Sequence, residues 1–106
     1  MEVVNRLAPN ECTGMENIRD EIDRLDRAVI KILGIRFQYV LAAAKFKTSE
    51  TSVRAPERFI AMLAKRREWA AIEGLNPDAV EKLYTDLVNH FIEEEMTHWK
   101  SHQAKA

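Results

Sequence analysis

A 3.6-residue apolar period runs unbroken from the "TGME" of residues 13–16 to about Phe46. Such a period marks an amphipathic α-helix. Thr13 at the N-cap with Glu16 three residues on reads as a capping box, in which each side chain satisfies a backbone donor of the other. A helix of about 32 residues is roughly 48 Å long. A compact domain of about 100 residues has a radius of gyration near 13 Å and is only about 35 Å across. The helix therefore overhangs its own domain. It also carries two apolar faces, Ile18, Ile22, Leu25, Val29 and Ile32 on one, and Ile35, Tyr39, Leu41 and Phe46 away from it. An intertwined helical homodimer satisfies both features, with an elongated monomer or an array-forming helical hairpin as the alternative.

The rest of the chain also reads as helix. "KTSETSVR" at 47–54 is polar and β-branched without periodicity, a connection. Pro56 in "APER" sits where a first helical turn tolerates proline and opens a second helix reaching about Glu73. Gly74 is a stop, Asn76 an N-cap and Pro77 a first helical residue. Val80, Leu83, Tyr84, Leu87, Val88, Phe91 and Ile92 then form the apolar arc of a third helix, to about Lys100. The pattern predicts one all-α domain over residues 1–106, with 1–11 and 101–106 frayed and no strands. A hydrophobic share of 46% is enough for a core.

Sixteen basic against 17 acidic residues, a net charge of −1, give no bulk attraction to nucleic acid or anionic lipid, so any anion site must be local. The chain has no 18-residue apolar run, and its start lacks a basic region followed by an apolar one, so a cytoplasmic location and no membrane partner are expected. Cys12 stands alone, without an intrachain disulfide partner, and reads as a small inert side chain.

The ionisable residues fall into two groups. Arg24, Arg27, Lys31 and Lys45 gather on the polar face and read as solvated. Arg36 and Lys47 lie about 20° apart in azimuth within the first apolar stripe, with Val40 and Ala43 between them. A cation there needs a partner, because burying it unpaired is costly. An internal acid would make a structural ion pair and an anionic ligand a binding pocket; the pattern admits both. Glu95, about 20° from Val88 and about 40° from Phe91, is a third inward ionisable group. No nucleophile–base constellation, phosphate loop or cysteine cluster is evident. Glu94, His98 and His102 follow at i, i+4 spacing, but tail histidines arrive at this spacing easily, and no metal is expected.

"IRDEIDRLDRAVIKILGIR" at 18–36, Lys47 beyond it and "PER" at 56–58 resemble the all-helical chorismate mutases. "CTGMENIRDEIDRLD" and "FKTSETSVRAPERF" are more closely similar to one branch, the isochorismate-pyruvate lyases that make salicylate for siderophores. The resemblance spans residues 12–100. It implies three helices per protomer in an intertwined homodimer of the chorismate mutase type II kind, with two pockets for a small dicarboxylate, no cofactor and no metal. It also implies that Arg36, Lys47 and Arg58 line their own chain's pocket while Arg19 reaches into the partner's. Arg19 lies about 100° around the helix from Arg36, which suits service to another subunit. Arg offers a planar fork for carboxylates, and Lys a compact charge that reaches both a carboxylate and an ether oxygen. With Glu95 these residues form the implied substrate-binding set; Lys47, Glu95 and Arg36 form the implied catalytic set.

The implied reaction is a pericyclic carbon–oxygen lyase step, isochorismate to salicylate plus pyruvate, with weak chorismate-to-prephenate rearrangement as a side activity. Mutases of this family commonly show Asp-x-x-Arg-Glu at the start of the second helix, whereas "APERF" puts Ala55 and Phe59 at the acid positions, which favours the lyase. Glu95 stands where most bacterial members carry Gln. Residues 48–54 are expected to be mobile when the pocket is empty and to close over substrate. Two rivals remain: a monofunctional chorismate mutase, and a non-catalytic helical dimerisation module that uses its cations structurally.

Overall fold

The computed structural model describes residues 6–104. A 3-10 turn at Pro9–Glu11 precedes four helices, α1 (Met15–Ala44), α2 (Glu50–Arg54), α3 (Pro56–Ile72) and α4 (Pro77–Ala104), and the described residues include no strand. The three long helices are those the sequence predicts; α2 is additional. None of the described helices is long and apolar enough to cross a membrane. The chain divides into two compact units, one ending at Gln38 and the other beginning at Tyr39.

In the first unit, α1 starts at Met15, so Gly14 takes the N-cap position rather than Thr13. The Thr13 backbone N–H and hydroxyl both donate to Asn17 Oδ1, at 3.1 and 2.9 Å, in place of the expected exchange with Glu16. Ile18, Ile22, Leu25 and Val29 are 38, 49, 37 and 53% exposed, so the first apolar stripe is open in the single chain. Glu21 is buried on this span; its Oε2 accepts the Arg6 backbone N–H at 3.0 Å and lies 3.7 Å from Arg24 Nε. Arg24 is therefore half-buried rather than solvated, while Arg27 and Lys31 are exposed as expected. Cys12 is half-buried, its Sγ 3.7 Å from the Ala8 carbonyl. The ordered turn at Pro9–Glu11, where Glu11 Oε1 accepts the Ala8 N–H at 2.8 Å, replaces the fraying expected there; residues 1–5 lie outside the described span.

In the second unit, α1 stops at Ala44, short of the expected Phe46. The N–H groups of Phe46 and Lys47 fold back onto the Ala43 and Ala44 carbonyls at 3.0 and 3.1 Å, tightening the end into a turn. Residues expected as a connection then form α2. Ser49 Oγ accepts the Ser52 N–H at 3.1 Å, while Ser52 Oγ accepts the N–H groups of Ser49 and Thr48 at 2.9 and 3.0 Å. This is a capping box with Ser in the place usually held by Glu or Gln. Val53, 2% exposed, is the most deeply buried side chain of the described residues. Glu50–Lys100 and Arg54–Glu93 ion pairs at 3.0 and 3.1 Å join α2 to α4.

Ala55 joins α2 to α3 at φ 41°, ψ 61°, a left-handed conformation that a side chain disfavours and that a following proline disfavours further. Its reward is a reversal in one residue that lets Pro56 open α3. Ala55→Val is expected to lower unfolding free energy by about 2 kcal/mol, because a β-branched side chain fits this region worst. Ala55→Gly should stay within about 0.5 kcal/mol of the parent, since relief of strain offsets the added chain entropy. Urea titration of the three proteins at one concentration distinguishes these outcomes.

α3 closes at Gly74 (φ 76°), with Gly74 N–H bonded to the Ala71 carbonyl at 3.2 Å and Leu75 N–H to the Ala70 carbonyl at 2.8 Å. Asn76 Oδ1 then accepts the Asp78 and Ala79 N–H groups at 2.8 and 3.2 Å, and Pro77 opens α4, as the sequence predicts. Arg67 on α3 meets Asp78 on α4 at 2.7 Å. Nothing in the sequence after Lys100 breaks a helix, and α4 continues to Ala104 rather than fraying at 101; residues 105–106 lie outside the described span. Ala44, Val53, Met62, Ala70, Val88 and Met96 form the buried apolar interior.

Candidate functional site

α4 turns Val88, Glu95 and Met96 inward, spaced by about two turns, and Glu95 is thus carried into an apolar interior by the helix period. Lys47 meets it there. The Lys47 ammonium donates to the Ser52 carbonyl at 2.8 Å and lies 3.7 Å from Glu95 Oε2, an ion-pair contact beyond hydrogen-bond length. The carboxylate side chain is 7% exposed and the lysine side chain 23%. Glu95 Oε2 is buried and accepts no hydrogen bond from the described residues. Burial pushes the Glu95 carboxyl above the usual carboxylate range, against the opposing pull of the Lys47 charge.

Three elements place the lysine. The turn after α1 delivers its backbone, at the head of the 47–54 segment expected as a connection; with α1 ending at Ala44, the azimuth that aligned Lys47 with Arg36 does not apply. α2 supplies the Ser52 carbonyl, one of the acceptors that a helix end leaves free. α4 supplies Glu95 and, one turn on, Trp99, whose indole N–H donates to the Lys47 carbonyl at 3.0 Å. An ammonium has three donors, and Ser52 engages one of them. The remaining capacity suits a carboxylate or ether oxygen, and a protonated Glu95 would add a donor beside it.

Lys47 and Glu95 are the predicted site residues that the structure brings into contact. Arg19 and Arg36 lie in the first unit, Arg19 exposed and Arg36 half-buried; Arg58, in the first turn of α3, is exposed. Sequence reasoning missed Ser52 and Trp99. Trp99 had a signal, its i+4 spacing from Glu95; Ser52 acts through its backbone and had none. Beside α2 a groove of about 310 Å³ is lined by Arg54, Pro56, Phe59, Ile60, Asn89 and Ile92. Among the described residues no group of three or more His, Cys, Asp or Glu side chains is arranged to hold a metal ion. His98 and His102 instead face each other with ring centroids 4.1 Å apart.

The sequence matches the chorismate mutase type II family over residues 18–96. It is 41% identical over 98 residues to an isochorismate pyruvate lyase of Pseudomonas aeruginosa, covering 92% of this chain and 97% of that protein. It is 36% identical over 81 residues to a T-protein of Haemophilus influenzae, covering 76% of this chain and 20% of that protein. A T-protein of Enterobacter agglomerans is 35% identical over 65 residues, 60% of this chain and 17% of its own length. The lyase is thus matched almost end to end, whereas the T-proteins match over a minor part of their length.

Proposed function

Because the chain belongs to the chorismate mutase type II family, we propose that it is an isochorismate pyruvate lyase, cleaving isochorismate into salicylate and pyruvate, with chorismate mutase activity as a weaker side reaction. The observation that carries the reading is the Lys47–Glu95 pair, a half-buried ammonium with donors to spare beside a buried carboxyl pushed above its ordinary range. The near full-length match to the Pseudomonas aeruginosa lyase supports the choice of reaction.

Atoms balance without a co-reactant. The ether C–O bond breaks, one ring hydrogen passes to the methylene carbon of the enolpyruvyl group, the ring becomes aromatic and the three-carbon fragment leaves as pyruvate. Electron density gathers on the ether oxygen as that bond lengthens. Lys47 and protonated Glu95 would donate there, stabilising charge that is larger in the transition state than in the ground state. Arg36 and Arg58 of one chain, with Arg19 of a second copy, would bind the substrate carboxylates and hold the reactive conformer. The exposed stripe of Ile18, Ile22, Leu25 and Val29 on α1 supports an intertwined homodimer, since a second copy would remove it from water. A cytoplasmic location agrees with this substrate class.

The test is incubation with each substrate separately, following salicylate fluorescence from isochorismate and loss of chorismate absorbance. The expected result is faster turnover of isochorismate. Turnover of chorismate alone would replace this reading with a mutase, and turnover of neither with a dimerisation module.

A further inference from the structure

Lys47 belongs to no helix. It follows the turn that ends α1, where its N–H reaches the Ala44 carbonyl at 3.1 Å. Its own carbonyl is held from across the fold, by the Trp99 indole N–H at 3.0 Å. Trp99 comes four residues after Glu95 on α4, so one helix face presents a carboxylate to the ammonium and an N–H to the carbonyl of the same residue. Trp99 is half-buried, which partly shields the bond from competing water.

We infer that Trp99 is a positioning residue for Lys47, fixing the main chain from which the lysine reaches Glu95 and Ser52. The inference rests on the reading of Lys47 as a catalytic residue. A lysine stem has four rotatable carbon–carbon bonds, and contacts at the ammonium alone leave its starting point free to drift. With the carbonyl pinned by Trp99 and the ammonium seated on Ser52, both ends of the side chain are defined. Releasing the first end lets the whole segment shift, and a displacement of about 1 Å at a reacting group lowers rates by up to about a hundredfold.

Trp99→Phe keeps the aromatic bulk and deletes the N–H. It should lower kcat for salicylate release by roughly ten- to a hundredfold, with KM changed by less than about threefold. In a Lys47→Met background the same substitution should leave the residual rate unchanged, because the group it positions is gone. Trp69→Phe, on the exposed part of α3, should leave the parental rate unchanged. Amide hydrogen exchange at residues 45–49 should quicken in Trp99→Phe alone. An equal loss of rate in both backgrounds would show a general packing role and overturn the inference, as would no loss in the parental background. If the parent forms no salicylate, the underlying reading fails by itself, and the exchange rates at 45–49 alone decide whether Trp99 clamps Lys47.

Discussion

Lys47→Ala is expected to lower kcat/KM for isochorismate by about 10²- to 10³-fold, the range for losing a preorganised donor at a developing oxyanion. The protein should remain folded. Removing the ammonium leaves Glu95 without its nearest cation, but a carboxyl already pushed upward by burial can take a proton rather than stand as a buried charge. Circular dichroism should therefore match the parent while activity falls. Arg19→Ala should be similarly inactive if Arg19 serves a second copy. Co-refolding equal amounts of the two variants gives half heterodimers, each with one of its two pockets intact. About a quarter of parental activity should then return in a two-fold symmetric dimer. Salicylate release after mixing, with exchange verified by mass, checks the result; verified exchange without recovery would remove the shared pocket.

Glu95→Gln carries the second large effect, and its sign depends on pH. A carboxyl donates a hydrogen bond only when protonated, so kcat of the parent should fall as pH rises through the Glu95 pKa in the complex. Gln donates at every pH. The variant should flatten that limb and equal or exceed the parent at about pH 7–8. Stability should respond in the same sense. The folded pKa is raised above the unfolded value, so between the two the folded chain holds a proton that the unfolded chain has released. Stability from this group is complete below the unfolded pKa and declines as pH rises through the folded one. The variant should lack that decline. The measurements are kcat profiles from about pH 5 to 8.5 and urea titrations over about pH 4–8 at fixed protein concentration. A parental kcat level to pH 8, with a slower Gln variant throughout, would mean that Glu95 works as a carboxylate.

Much of the fold and some of the site were legible because they rest on local rules. The stops and starts at Gly74, Asn76, Pro77 and Pro56 each depend on one residue, through its backbone preferences or, at Asn76, a capping side chain, and each falls where the sequence puts it. Glu95 was found as an inward group because the helix period holds along α4. Lys47 was found by aligning it with Arg36 on a helix that ends at Ala44, and the groups that bond it, the Trp99 indole and the Ser52 carbonyl, lie on other elements where the period of α1 says nothing of them. α2 was missed because its cap uses two serines, a pattern shared by many loops, and its docking depends on Val53 and on charges in α4. Arg24 was misjudged for a related reason, since its partner Glu21 is held by the backbone of Arg6.

The two ion pairs that dock α2 also encode a direction. Glu50 at its start meets Lys100, and Arg54 at its end meets Glu93, so α2 runs antiparallel to α4. Turned end for end, the short helix would set Glu50 against Glu93 and Arg54 against Lys100, two repulsions in place of two attractions. A five-residue helix is far too short to persist alone, and one buried valine has no polarity along its axis. The turn after α1 and the one-residue reversal at Ala55 fix the two ends of α2, and charges about two turns apart on a solvent-facing surface add a second, weaker preference for the same orientation. Such charges weaken as the Debye length shrinks from about 10 Å at 0.1 M salt to about 3 Å at 1 M. The part of α2 docking that these two pairs supply is therefore sensitive to ionic strength, while the packing of Val53 and the backbone joint at Ala55 are not.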